Sequence, residues 1–291
     1  MTTARPRRSC LYMPGANAKA LEKAKTLAAD VLILDLEDSV APESKELARA
    51  QVSAAVKAGG YGKREVIIRV NGLATQWGKD DVAAACAAGP DGILVPKVES
   101  GAQVRELDAA LTAAGLPKTA LLWANIETPR AILNINDIAA AAKDTRLACF
   151  VMGLNDLAKE TRALQRPGRA AFQTALSLCV MAARTEGLVA IDGVFNDIAD
   201  AAGFEAECRQ ALEFGYDGKT LIHPSQVDGA NTVFAPTAEE IDRARVIIAA
   251  FALPENAGKG VIKVDGKMTE LLHMHEAQRV VAVAEAIAAT A

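Results

Sequence analysis

Short apolar runs recur eight times along the chain, and each gives way to polar or catalytically useful residues. In order they are Arg8–Met13 into Pro14-Gly15, Val31–Leu36 into Glu37-Asp38, Val66–Ile68 into Arg69, and Ile93–Val95 into Lys97. Then follow Leu121–Ile126 into Glu127, Cys149–Leu154 into Asn155-Asp156, Val189–Ile191 into Asp192, and Thr220–Ile222 into His223-Pro224. Strands of a parallel sheet are covered on both faces, so they read as unbroken hydrophobic runs rather than alternating ones. Each run but the last is followed by a helical pattern, and the last reaches a helix after a longer connection. Eight such units predict an α/β fold, a closed (β/α)₈ TIM barrel whose active site is built at the carboxyl ends of the strands. The useful residues fall at that end every time, which marks the chain as an enzyme.

Helix signals fill the connections. Ser100 with Gln103 and Thr237 with Glu240 have capping-box spacing, and Thr128-Pro129 pairs an N-cap with proline at the first helical position. Segment 44–58 is Ala-rich and carries the apolar Leu47, Ala50 and Ala54 at helical spacing. Gly59-Gly60, Gly89, Gly115, Gly187 and Gly215 fall just past helices, where a left-handed cap is wanted. The one candidate boundary is the stretch Pro254–Gly260. It divides a barrel domain, 1–254, from a C-terminal capping segment, 255–291. In that segment Val261–Val264, the turn pair Asp265-Gly266 and a helix near Met274–Ala289 form an extra module that a closed barrel does not need.

A length of 291 residues suits one barrel with an appendage, and 51% hydrophobic residues supply a large core. Aromatics are only 4%, which leaves Ala, Val, Leu and Ile to fill it. The formal charge of −4 makes no electrostatic case for nucleic acid. The basic Arg5-Pro6-Arg7-Arg8 precedes an apolar run too short for a signal sequence. No run approaches the roughly 18–20 residues of a membrane helix. Cys10, Cys86, Cys149, Cys179 and Cys208 are odd in number, lack Cys-x-x-Cys spacing and sit inside apolar patterns. They read as small buried hydrophobes of a reducing, cytoplasmic compartment.

Rim residues carry the chemistry. Glu127 and Asp156 follow neighbouring strands, and two oxygen ligands there suit Mg²⁺, which keeps positions open for water and substrate. Alone, Asp156 reads first as a helix N-cap. Glu127 closing so apolar a run is harder to set aside, because a buried unpaired carboxylate is costly. Together they favour a metal site. Glu37 and Asp38 hold metal-bound waters or a basic side chain, or form a strand-end ion pair with Arg69 or Lys97. Arg69 offers a planar fork to a substrate carboxylate or a developing oxyanion, with a plain ion pair to Glu37 or Asp38 as the alternative. Lys97 is either a Schiff-base nucleophile or, as preferred, a partner of Glu99 or Glu37. His223 reads as structural, and His273 and His275, two apart, face different ways on a helix. No nucleophile elbow, dinucleotide fingerprint or P-loop occurs, which argues against α/β-hydrolase, NAD and ATP chemistry.

These residues also carry a resemblance. Arg8-Ser9, Tyr12–Gly15, Leu34–Pro42 with Lys45 and Ala48-Arg49, Ile68–Asn71, Val95–Glu99, Ile126–Pro129, Gly153–Leu157, Ala190–Val194 and Lys219–Pro224 occur in one order. With Gly258–Gly260 and Asp265–Met268 the set spans nearly the whole chain, and it resembles the citrate lyase β-subunit-like family. That family includes malyl-CoA and citramalyl-CoA lyases and lies within the HpcH/HpaI aldolase group. Each motif is modest; the ordered set is specific. The resemblance implies a carbon–carbon lyase that cleaves or forms a 3-hydroxyacyl-CoA, such as malyl-CoA, citramalyl-CoA or a citryl thioester. Its products are an acyl-CoA and a 2-oxo acid. It further implies Mg²⁺ on Glu127 and Asp156, Arg69 at the enolate oxygen, and a homo-oligomer, trimer or hexamer. Pro14, Asn17 and Lys19 after the first strand, with Glu37, Asp38 and Lys97, are the candidate substrate and CoA contacts.

One departure matters. Where lyases of this family carry a C-terminal aspartate as general acid/base, this chain has Glu270, in Gly266-Lys267-Met268-Thr269-Glu270. The extra methylene displaces the carboxylate by roughly 1 Å or more. The alternatives are a malyl-CoA-type thioesterase, a non-catalytic CoA-binding subunit, and for Glu270 itself a solvent-facing residue at a helix start.

Overall fold

The eight runs form eight strands. In a computed structural model describing residues 5–290 they are β1 (Ser9–Pro14), β2 (Val31–Asp35), β3 (Glu65–Arg69), β4 (Gly92–Val95), β5 (Leu121–Ile126), β6 (Leu147–Met152), β7 (Val189–Asp192) and β8 (Gly218–Leu221). Each pairs in parallel with the next, and β8 closes on β1. Helices cover the outside, so β2 and β3 are buried along their whole length. That double burial is why they read as continuous hydrophobic runs.

Side chains alternate between lumen and helix layer. Cys10, Val31, Ile33, Ile67, Leu94, Trp123, Cys149, Val151 and Ile191 fill the lumen with one apolar core. At the amino end Glu65 accepts hydrogen bonds from Arg7 Nε and Nη2 at 2.6 and 2.8 Å. The Arg7 guanidinium lies 5.1 Å from the centroid of the Trp123 ring, which plugs that end. At the carboxyl end the same inward rows continue as Tyr12, Asp35, Arg69 and Asn125, each two residues beyond a core position. The barrel is therefore apolar in its middle and polar at its catalytic end.

The predicted caps take their places, with one difference. Thr128 accepts from the Ala131 amide, and Thr237 and Glu240 form a full capping box. Ser100 accepts from the Gln103 amide, but Gln103 Oε1 accepts from the Glu99 amide, so that box is only half made. All five cysteines are buried and unbridged. No helix among the described residues is long and apolar enough to cross a membrane.

The helix expected over 44–58 is present as Lys45–Ala58, and the residues at helical spacing are not the ones it buries. Leu47 is 53% exposed, and Ala50 and Ala54 are exposed, whereas Lys45, Ala48 and Val52 are buried. The cause is polar. Lys45 Nζ donates to the carbonyls of Leu36 and Glu37 and to Asn71 Oδ1 at 2.7–3.0 Å. Arg49 Nε donates to the buried Asp81 at 2.8 Å. These anchors fix the rotation of the helix, and the apolar stripe of Leu47 is left in solvent.

The described residues divide into two compact units, one of Arg7–Thr232 and one of residues 233–290 with residues 5–6. The division falls before the helix Ala238–Phe251, earlier than the Pro254 boundary read from sequence. That helix gives Ala244 and Ile247 to the core of the second unit, beside Ile262, Val264 and Ala277. There β9 (Val261–Val264) and β10 (Lys267–Glu270) form an antiparallel hairpin, followed by the helix Leu271–Thr290. Asp265 and Gly266 turn it with φ of 47° and 80°, the double positive φ that makes Asp-Gly a favoured two-residue hairpin turn.

Candidate active site

Asp35 and Arg69 close β2 and β3 at matching register positions, so their side chains meet inside the barrel. Arg69 Nε and Nη2 donate to the two Asp35 oxygens at 2.6 and 2.7 Å. Those oxygens also accept the Glu37 and Ser39 amides at 2.9 and 3.0 Å. Burial alone would push the Asp35 carboxyl up; the Arg69 charge and these hydrogen bonds outweigh it and hold the group below the usual range. The guanidinium lies 4.6 Å from the Tyr12 ring centroid, a cation–π contact that further fixes its plane. One edge of the fork is thus committed to Asp35, and Nη1 is left to face the rim.

At that edge stand Glu37 and Asp38. Glu37 Oε2 lies 2.9 Å from Arg69 Nη1 and Asp38 Oδ2 lies 3.4 Å away. The Glu37 contact lacks hydrogen-bond alignment, and its buried Oε2 has no hydrogen-bond partner. Burial first, then the charges of Asp38 and Glu127, push the Glu37 carboxyl up to about 8 despite Arg69. The contacts of Arg69 with Glu37 and Asp38, the alternative read from sequence, are present, and Asp35 is a stronger partner than either.

Glu127 follows β5 directly and is 3% exposed. Its Oε1 accepts the Lys97 amide at 2.8 Å and its Oε2 accepts Asn125 Nδ2 at 3.0 Å. Burial, reinforced by the nearby Asp156 charge, pushes its carboxyl up to about 7. Gly153 makes the close approach possible, since a Cβ there would overlap Glu127 Cβ and Oε2. Asp156 is not the N-cap. β6 ends at Met152, Gly153 takes the cap position of the helix Leu154–Thr161, and Asp156 lies in its first turn. Its Oδ1 is 3.2 Å from Lys97 Nζ. Lys97 therefore pairs with Asp156 rather than with Glu99 or Glu37. Burial lowers the affinity of its amine for the proton, but the Asp156 carboxylate outweighs this and raises it, the opposite of what a Schiff-base nucleophile requires.

Among the other candidates, Pro14 stands opposite Asp35 in the β1–β2 register. Asn17 is committed to capping the helix Ala18–Ala24 through the Ala20 amide, and Lys19 is exposed in its first turn. His223 Nδ1 accepts the Ser225 amide as a structural cap. Asp192 is buried between Arg169 and Lys219. Glu270 belongs to the second unit, where it ends β10, is exposed, and donates its amide to His273 Nδ1 at 2.9 Å. Among the described residues no three His, Cys, Asp or Glu side chains group as a metal cluster. A cleft of about 800 Å³ opens beside Leu154 and Val194 and runs along the helix Ala201–Phe214; neither Glu127, Asp156 nor Arg69 lines it.

Sequence reasoning passed over Asp35 and Asn125. Both lie inside apolar runs, and the available signal was parity: each stands two residues beyond a lumen position, and Asn125 two before Glu127. Asn125 Oδ1 is buried and has no partner, so the site keeps an unused acceptor beside Glu127.

Residues 8–224 match the family model described as HpcH/HpaI aldolase/citrate lyase. A (3S)-malyl-CoA thioesterase of Cereibacter sphaeroides is 48% identical over 286 residues, covering 98% of this chain and 97% of that protein. An L-malyl-CoA/beta-methylmalyl-CoA lyase of the same organism is 35% identical, covering 98% and 97%. Among solved structures, CitE from Mycobacterium tuberculosis in complex with magnesium, acetoacetate and coenzyme A aligns with a TM-score of 0.77. It is 27% identical and covers 97% of this chain and 99% of that one.

Proposed function

The chain belongs to the HpcH/HpaI aldolase/citrate lyase family, and from that premise we propose a Mg²⁺-dependent enzyme that hydrolyses the thioester of a malyl-CoA-type 3-hydroxyacyl-CoA. The observation that carries the reading is the juxtaposition of Glu127 and Asp156, bridged by Lys97, with an Arg69 fork clamped by Asp35. Identity of 48% with a malyl-CoA thioesterase, against 35% with a malyl-CoA lyase, favours hydrolysis. The second reading is the carbon–carbon lyase, favoured by the matched family itself.

The donor set fits a hard dication. Both candidate ligands are carboxylates, which suits Mg²⁺, and the raised Glu127 carboxyl marks a place where positive charge is wanted. Glu127 and Asp156 would hold the ion. When bound, it would polarise and orient substrate oxygen. The remaining tasks fall to the chain. The first-turn amides of the helix Leu154–Thr161 carry no side-chain cap, and a helix start of that kind suits a carboxylate. Arg69, its plane fixed by Asp35 and Tyr12, offers Nη1 to the thioester oxygen as negative charge develops there, a preorganised contribution. In hydrolysis water adds to the thioester carbon, the carbon–sulfur bond breaks, and the thiolate leaves as CoA with a proton. In the lyase reading the 3-hydroxyl loses its proton, the C2–C3 bond breaks, and Arg69 holds the enolate oxygen. Glu270 is the candidate acid/base in either case. We also propose a homo-oligomer, as the resemblance implies.

Product analysis tests the choice. With (3S)-malyl-CoA and Mg²⁺, hydrolysis yields malate and free CoA in equal amounts; cleavage yields glyoxylate and acetyl-CoA. Glyoxylate as the initial product would overturn the thioesterase reading in favour of the lyase. Intact substrate, across citramalyl-CoA as well, would overturn both.

A further inference from the structure

Lys97 is one of four non-glycine residues with positive φ among those described, at 52°. A residue with a β-carbon adopts that conformation only where its surroundings enforce it. Here the turn brings two different atoms of one residue to the two candidate ligands. The backbone N–H donates to Glu127 Oε1 at 2.8 Å, and Nζ lies 3.2 Å from Asp156 Oδ1. Gln103 Nε2 steadies the Lys97 carbonyl from 3.4 Å. The other Glu127 oxygen is held by the neutral Asn125 amide. The Lys97 ammonium is thus the cation in contact with Asp156, and its side chain is 49% exposed, so it has a way out to solvent.

We propose that Lys97 is a tethered counter-cation which neutralises Asp156 in the metal-free protein and competes with the divalent ion for that carboxylate. The inference rests on the reading of Glu127 and Asp156 as a cation seat. The Asp156 charge acts on Glu127, and Lys97 offsets that repulsion in part until metal arrives. Loading then requires Nζ to give up Asp156, so the lysine weakens metal binding while keeping the empty seat intact. Lys97 is a positioning residue on this account.

Calorimetric titration of the full chain with Mg²⁺ tests it. The Lys97→Met variant keeps the backbone N–H and loses the ammonium. Its dissociation constant is expected to fall about tenfold or more, since a unit charge a few ångström from a dication is worth more than that at the effective dielectric of a protein site. Lys97→Gly loses the same charge while relieving the positive φ, and should show the same tightening if the methionine variant folds poorly. In the wild type, labelling of Lys97 by an amine-reactive reagent, read by mass spectrometry, should accelerate on adding Mg²⁺. Equal or weaker Mg²⁺ binding in both variants, with binding still lost in Glu127→Gln, would overturn the inference and leave the metal seat standing. No saturable Mg²⁺ binding in the wild type would overturn both.

Discussion

An Asp35→Asn substitution strikes the clamp behind Arg69. Each Asp35 oxygen accepts one guanidinium N–H and one backbone amide: Arg69 Nε and Glu37 on Oδ1, Arg69 Nη2 and Ser39 on Oδ2. Asparagine has one NH₂ group, so in either orientation one donor faces two donors. The substitution also leaves Arg69, 8% exposed, without its main counter-charge. Breaking a buried pair in this way costs about 3–5 kcal/mol. Asp38 remains at 3.4 Å from Nη1, and Glu37 at 2.9 Å ionises more readily once the Asp35 charge is gone, which argues for the lower end, about 3 kcal/mol. In a unit of this size that corresponds to a fall of about 6–12 °C in Tm. Thermal and urea unfolding would measure it. An Asp35→Ala/Arg69→Met double variant should lose less than the sum of its single substitutions, because the unpaired charge goes with its partner. A loss under about 1 kcal/mol in Asp35→Asn would refute the claim that this buried pair orients Arg69.

Other expectations are independent of that one. Arg69→Met should lower kcat about 10²–10³-fold, as loss of one oxyanion donor does; a near-normal kcat with malyl-CoA would remove Arg69 from the chemistry. Burial pushes the Asp192 carboxyl up, but the charges of Lys219 and Arg169 outweigh it and hold the group below its ordinary range. A depressed folded value means its stabilisation is complete above the unfolded pKa near 4 and is lost as pH falls through the folded value. Acid unfolding should therefore be shallower in Asp192→Asn, and an unchanged pH profile would contradict the pairing. Leu47→Glu should alter stability by no more than about 0.5 kcal/mol, whereas Ala48→Glu should cost several times that. The reverse order in urea melts would contradict the rotation that Lys45 and Arg49 give this helix.

The barrel was legible because strands covered on both faces leave runs that survive errors of a residue or two, as with β6, which starts at Leu147 rather than Cys149. Glu127 and Arg69 stood out as charges closing such runs. Asp35 and Asn125 did not, since a polar residue inside an apolar run looks like noise until its lumen-facing parity is counted. The partner of Lys97 was unreadable for another reason. Glu99 is close in sequence, but the left-handed turn at Lys97 carries the side chain across to the first turn of the helix after β6, and adjacency along the chain says nothing of adjacency around a rim. In the helix Lys45–Ala58 the spacing of Leu47, Ala50 and Ala54 marks a helix but not its buried face, because a buried lysine held by loop carbonyls sets the rotation. Pattern reading assigns burial to hydrophobicity and has no term for such anchors.

The shared cation seat is tested most directly by the paramagnetic resonance of Mn²⁺, used in place of Mg²⁺, as it is added to the wild type, Glu127→Gln and Asp156→Asn. The predicted result is one tight site per chain in the wild type, lost in both variants while their melting curves stay cooperative. Binding undiminished in either variant would contradict it.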